Sequence, residues 1–236
     1  MRDNAEVTDQ APLDRLVDLL DLERIEEDIF RGKQPGESLL RVFGGQVAGQ
    51  ALVAAGRTVP ADRPVHSLHA YFLRPGDPSV PIVYEVDRIR DGRSFTTRRV
   101  VAIQHGKAIF NMSASFQVVE EGLEHAAPMP AVPDPEGLET IQQRMAAYSD
   151  ELGGWFSRPR PIDIRYVTDP PRVLRDSGGA REPRSKVWMR ADGKLPDDPL
   201  LHVCAVAFAS DMTLLDSALL SHGLAMGKDP VMLASL

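Results

Sequence analysis

Residues 41 to 117 constrain the fold more than any other stretch, because a glycine-opened helix is followed at once by four strand-like runs. Gly44 and Gly45 leave the backbone bare where the helix starts, and the unpaired N–H groups of such a start favour a polar or anionic group. Val47, Ala51, Ala54, Ala55 and Thr58 then follow the three-and-four spacing of one helical face. Most of them are small, so a sheet can approach closely. Gly49 and Gly56 lower helix propensity, which points to tight packing against neighbouring strands as the compensation.

The first strand-like run is His66 to Leu73, ended by the turn cluster Arg74-Pro75-Gly76-Asp77-Pro78. Pro81 to Arg90, Arg93 to Gln104 and Lys107 to Val118 follow, joined by Asp91-Gly92 and His105-Gly106. Two-residue connections of this kind predict an antiparallel meander. A helix cradled in a curled antiparallel sheet is a hotdog architecture, of class α+β.

Further on, the pattern of strand and then long helix recurs. Pro161 to Val167 and Lys186 to Arg190 are short strand-like runs, and Asp198-Pro199 opens a second apolar helix predicted to reach about Leu215. The expected organisation is a tandem of two hotdogs, residues 12–119 and 160–236, with residues 120–159 as a linker carrying a helical segment. The proline-rich stretch 119–137 marks that linker, and Pro170 to Pro183 reads as a second one. Leu13 to Phe30 has the apolar spacing of one amphipathic helix, read as a structural cap.

Composition narrows the function classes. A 236-residue chain that is 43% hydrophobic and 26% charged can bury a substantial core. The net charge of -7 disfavours a broad nucleic-acid footprint. The single cysteine, Cys204, lies among apolar neighbours and reads as an inert buried thiol; it fits a reducing compartment. With no apolar leader and no run long enough to span a bilayer, a cytoplasmic location away from membranes is expected. No spaced His/Cys cluster suggests a metal, and no Gly-x-Ser-x-Gly elbow suggests a serine hydrolase.

Four segments in order, RVFGGQVAGQAL (from Arg41), HSLHAYFLRPGD (from His66), DGRSFTTRRV (from Asp91) and SDMTLL (from Ser210), resemble the type II acyl-CoA thioesterases, the TesB family. The likeness runs from about Leu13 to Leu236. It implies a double hotdog that hydrolyses acyl-CoA without a cofactor and associates into homo-oligomers. It also implies that an aspartate on the second helix, a serine or threonine on the next strand and a glutamine on the last strand hold the attacking water. Asp211 matches the first and Ser235 the second; the glutamine has no counterpart. Since family members continue with another strand and a meander, the second hotdog is expected to be incomplete, and the chain weakly active and prone to associate. Two alternatives to hydrolysis stand beside it: a non-catalytic acyl-CoA-binding hotdog protein, and a hotdog enoyl-CoA hydratase, whose Gly-Asp-x-Asn-Pro signature is absent.

Asp211 is also singled out by physics. On a continuous helix it shares a face with Leu200, Cys204 and Leu215, which places a carboxylate on the buried side. Such a group needs hydrogen-bond donors or a raised pKa, and either suits a residue that orients or deprotonates water. The N–H groups near Gly44 and Gly45, or those of the partner helix, are candidate oxyanion donors. His66 and His69 lie three apart on a strand and point to opposite faces; one reads as a satisfied sheet residue, the other, taken as His66, as a channel-lining group or alternative base. Arg88, Arg90, Arg93, Arg98 and Arg99 surround the Asp91-Gly92 turn. They read equally as holders of coenzyme A phosphates, with Arg93 foremost, or as solvated charges guarding a sheet edge.

Overall fold

The computed structural model describes residues 10–35, 41–148, 159–178, 182–226, 229 and 231. They fall into two compact units that alternate along the chain. One combines the described residues of Arg15–Glu124 with those of Leu195–Met212, the other the described residues of Met1–Asp14, His125–Lys194 and Thr213–Leu233.

In the first of these, helix α2 (Gly44–Gly56) lies on a six-stranded antiparallel sheet. Its strands are β1 (Glu23–Glu26), β2 (Ile29–Gly32), β3 (Val65–Phe72), β4 (Ile82–Asp91), β5 (Phe95–Gln104) and β6 (Lys107–Gln117), in the order β1-β2-β4-β5-β6-β3. The expected meander is present as β4-β5-β6, and β3 pairs with β6 at one edge. Alternation places Ile82, Tyr84, Val86, Val100, Ala102, Phe110, Met112 and Phe116 in the core with Ala51, Leu52 and Ala55 of α2. A Leu or Phe side chain buried this way contributes about 1.5–3 kcal/mol.

The His105-Gly106 turn has both residues at positive φ, 49° and 68°, as a two-residue hairpin with matching twist requires. The other turn differs from expectation. Asp91 still belongs to β4 and the connection is Gly92-Arg93-Ser94, closed by the Gly92 N–H donating to the Phe95 carbonyl at 2.9 Å.

The single helix expected over Leu13 to Phe30 is instead α1 (Gln10–Leu20) followed by the β1–β2 hairpin. Leu13, Leu16 and Leu20 keep helical spacing and are buried. Past Leu20 the chain turns at Asp28, whose φ of 59° is the left-handed region that Asp tolerates, and Phe30 enters the core from β2. Pairing with β4 overrides the local helical pattern.

The other unit holds a two-stranded ribbon, β7 (Ile162–Tyr166) and β8 (Val187–Ala191), with helices α3 (Ile141–Arg144), α4 (Pro171–Ser177) and α6 (Asp216–His222). The stretch Pro170 to Pro183, expected as linker, contains α4: Pro171 occupies its first turn and Gly178, at φ 67°, ends it. Thr140 and Gln143 form a capping box on α3.

The second long helix, α5 (Pro199–Ser210), begins as expected, with the Asp198 carboxylate accepting from the Leu200 N–H at 3.0 Å. It stops at Ser210, not Leu215. Asp211 is its C-cap, and Leu215 precedes α6 instead of sharing a helical face with Asp211.

Candidate active site

The site is built where α5 ends against the start of α2. Both helices offer one narrow seam. A side-chain carbon placed on Gly56 would meet Leu200, one on Gly49 the Cys204 carbonyl, and one on Gly45 the Phe208 carbonyl. Along α2 the contact runs 45, 49, 56 while along α5 it runs 208, 204, 200, so the helices are antiparallel. The C-terminus of α5 therefore reaches the N-terminus of α2, and the next residue is Asp211.

Its carboxylate oxygen Oδ2 accepts the Gly45 N–H at 2.8 Å. Phe43, at the N-cap position of α2, provides no side-chain cap, so Asp211 caps this helix from 166 residues away in sequence. A negative charge there is favoured by the exposed N–H groups and the helix dipole. Burial acts the other way and prevails: the carboxyl is raised above its ordinary range by desolvation, with the Gly45 N–H pulling it partly back. The surroundings explain the desolvation. Phe43 and Phe208 meet edge to face at 5.1 Å, and a carbon added to Gly44 would lie 2.6 Å from Asp211 Oδ2 and 2.9 Å from the Phe72 ring.

Gly44, Gly45 and Asp211 thus come together. His66 and Arg93 stand elsewhere. Phe72, beside Gly44, is the last residue of β3, and His66 is six residues back, about 20 Å along an extended strand. His66 is exposed, with Nε2 2.9 Å from Ser115 Oγ and its ring against Phe95. Arg93 is exposed in the turn after β4, and its carbonyl accepts from Arg63. Ser235 lies outside the described residues.

Three of the five arginines around this turn have structural tasks. Arg98 is buried and binds Asp91, the Thr58 carbonyl and Thr58 Oγ1; Arg88 pairs with Asp28, and Arg99 with Asp87. Arg90 and Arg93 are exposed. Cys204 is fully buried and its thiol is pushed far up, so it is inert. Among the described residues no group of three His, Cys, Asp or Glu side chains is placed to hold a metal ion, and no helix is long and apolar enough to cross a membrane.

Sequence reasoning missed the aromatic lining and a second buried acid. Asp216, at the start of α6, accepts the Tyr166 hydroxyl at 2.6 Å and faces Ser185 Oγ at 3.5 Å; burial raises it to about 6. Its partners come from β7 and from the loop before β8, and no local spacing signals them.

A helix laid on an antiparallel sheet is the arrangement of a hotdog fold. A hot dog fold protein of Alicyclobacillus acidocaldarius superposes with a TM-score of 0.66 at 21% identity, covering 89% of this chain and 73% of that one. Residues 35–117 match the family model of the acyl-CoA thioesterase N-terminal domain, and residues 157–236 that of acyl-CoA thioesterase. The chain is 42% identical to mouse acyl-coenzyme A thioesterase 8 over 217 residues, 86% of this chain and 67% of that protein. It is 39% identical to acyl-CoA thioesterase 2 of Haemophilus influenzae, over 89% of this chain and 74% of that protein. The acyl-CoA thioesterase II TesB2 of Mycobacterium marinum superposes with a TM-score of 0.68 at 44% identity, covering 88% and 70%. The chain belongs to the acyl-CoA thioesterase II, TesB-like, family.

Proposed function

We propose that this chain hydrolyses fatty acyl-CoA thioesters to free fatty acid and CoA, with Asp211 as the group that orients and deprotonates the water. The single observation carrying this is the Asp211 carboxylate, half-buried among aromatic rings yet held at 2.8 Å on the Gly45 N–H. A raised carboxyl is a better proton acceptor than an exposed one, and its fixed position removes the entropy of finding the water. The water oxygen bonds to the thioester carbonyl carbon while its proton passes to Asp211. The C–S bond then breaks, and the proton goes to the departing CoA sulfur. No acyl-enzyme is needed.

In the same proposal Ser235 holds the water from its other side, as the family resemblance implies. Gly44 and Gly45 supply the backbone lining; the Gly45 N–H already serves Asp211, so it acts on the reacting carbonyl only by sharing. Arg93 and His66, exposed at the far end of the sheet, serve the phosphate-bearing end of CoA, where a guanidinium matches phosphate geometry. The two family-model matches, separated along the chain, support a tandem of two hotdogs, and the exposed edge strand β3 supports association between copies. A cytoplasmic location fits the single buried cysteine.

Incubation with palmitoyl-CoA and a thiol-reactive dye tests the reading. Continuous CoA release by the wild type, reduced about 10²–10⁴-fold in Asp211→Asn, is expected. Binding without thiol release would identify a non-catalytic acyl-CoA binder, and an undiminished rate in Asp211→Asn would remove Asp211 from the chemistry.

A further inference from the structure

The space a side chain would take at Gly44 is filled from two sides. The position of a Cβ there is 2.6 Å from Asp211 Oδ2 and 2.9 and 3.0 Å from Cε1 and Cζ of Phe72. The carboxylate and the ring edge are therefore neighbours across a bare α-carbon. Phe72 in turn is fixed from the sheet: it pairs in register with Phe110 of β6, and the two rings pack at 5.0 Å.

We propose that Phe72 is a positioning residue, whose ring closes one side of the Asp211 carboxylate to water and keeps it seated on the Gly45 N–H. The proposal rests on the reading of Asp211 as the water-activating group. The groups placed beside Asp211 by these elements are neutral: the Gly44 and Gly45 backbone and Phe43 from the start of α2, Phe72 from β3 and Phe208 from α5. The causes of its raised pKa are burial, then the opposing Gly45 N–H. Of the charged residues nearest in sequence to Gly44 and Phe72, Arg41 is exposed and Arg74 donates to the Ala108 carbonyl. An apolar ring on that side adds to the burial that holds the proton on Asp211.

The test reads the carboxyl directly, by ¹³C NMR titration of aspartate side chains, with the Asp211 signal identified by its loss in Asp211→Asn. Phe72→Leu should lower the Asp211 midpoint by about half a pH unit or more, toward the ordinary carboxylate range. Phe110→Leu loosens the same ring pair from the sheet side and should lower the midpoint in the same direction by a smaller amount. Phe72→Met keeps more of the volume and replaces the leucine variant if that fails to fold. An Asp211 midpoint unchanged in Phe72→Leu or Phe72→Met overturns the proposal, whether or not the protein turns over substrate. In the hydrolysis assay, the acid limb of kcat/KM should move with the NMR midpoint, and kcat should fall more than KM rises. A shifted midpoint without thiol release, or with an unmoved limb, counts for Phe72 as the group that buries Asp211 and against Asp211 as base.

Discussion

At Gly45 an added methyl group would lie 2.2 Å from the Phe208 carbonyl oxygen, a backbone atom that cannot swing aside. At Gly56 it would lie 2.4 Å from Leu200 Cδ1, the end of a flexible side chain. Replacing glycine by alanine gains about 1 kcal/mol of propensity in mid-helix and less at the ends of α2, where both residues stand. The outcome is then set by the neighbour: the Leu200 side chain can rotate away from position 56, and the Phe208 carbonyl cannot move away from position 45. Urea unfolding midpoints should therefore rank Gly45→Ala as the most destabilising, by about 3 kcal/mol, and Gly56→Ala as close to neutral. Gly44→Ala should fall between them in stability while losing most hydrolysis, because its methyl displaces the Asp211 carboxylate. Equal loss of stability at 45 and 56 would contradict this ranking.

Asp216 brings a pH effect of definite sign. Its folded carboxyl titrates at about 6 against an ordinary value of 3.8, so between these values the native state holds more protons than the unfolded one. Stability from this group is complete below about pH 4, is lost as pH rises through about 6, and amounts to about 3 kcal/mol. Asp216→Asn keeps an acceptor for the Tyr166 hydroxyl and has no charge to desolvate. Denaturation at pH 4.5, 6 and 7.5 should show a flatter pH dependence for this variant; parallel curves for both proteins would refute the assignment.

At the scale of elements, most of the first sheet was legible because its signals are local. His105-Gly106 has the φ values of its turn, and Asp198-Pro199 starts α5 as an N-cap and first-turn proline should. Asp198→Ala should reduce stability by about 1 kcal/mol in thermal unfolding, the usual contribution of an N-cap, and no change would discount the cap. The β1–β2 hairpin was hidden: Glu23–Glu26 is all exposed and alternates charge with a lone Ile25, which resembles the polar face of a helix. The end of α5 was misplaced because the apolar run continues through Leu214 and Leu215 past the point where the hydrogen-bond ladder stops. Asp211 was legible as a half-buried acid, but its partner was not. Helical spacing marks a face, whereas the pairing with Gly45 and the shielding by Phe72 depend on where other elements pass.

For the molecule as a whole, unequal protection is expected. The six-stranded sheet encloses α2, while β7 and β8 form a two-stranded ribbon, an arrangement that needs packing from helices to persist. Amides of β5 and β6 should exchange with deuterium far more slowly than those of β8, by mass spectrometry of peptic fragments; uniform exchange would mean that the two units open together.

The seam between α2 and α5 also sets an order of events during synthesis. The last strand of the six-stranded sheet ends at Gln117, but the helix that covers glycines 45, 49 and 56 ends only at Ser210. At translation rates of about 5–20 residues per second, the sheet waits on the order of 5–20 s for that helix to emerge from the ribosome. Throughout this interval the glycine stripe of the nascent chain is open to chaperones, and the carboxylate that caps α2 does not yet exist.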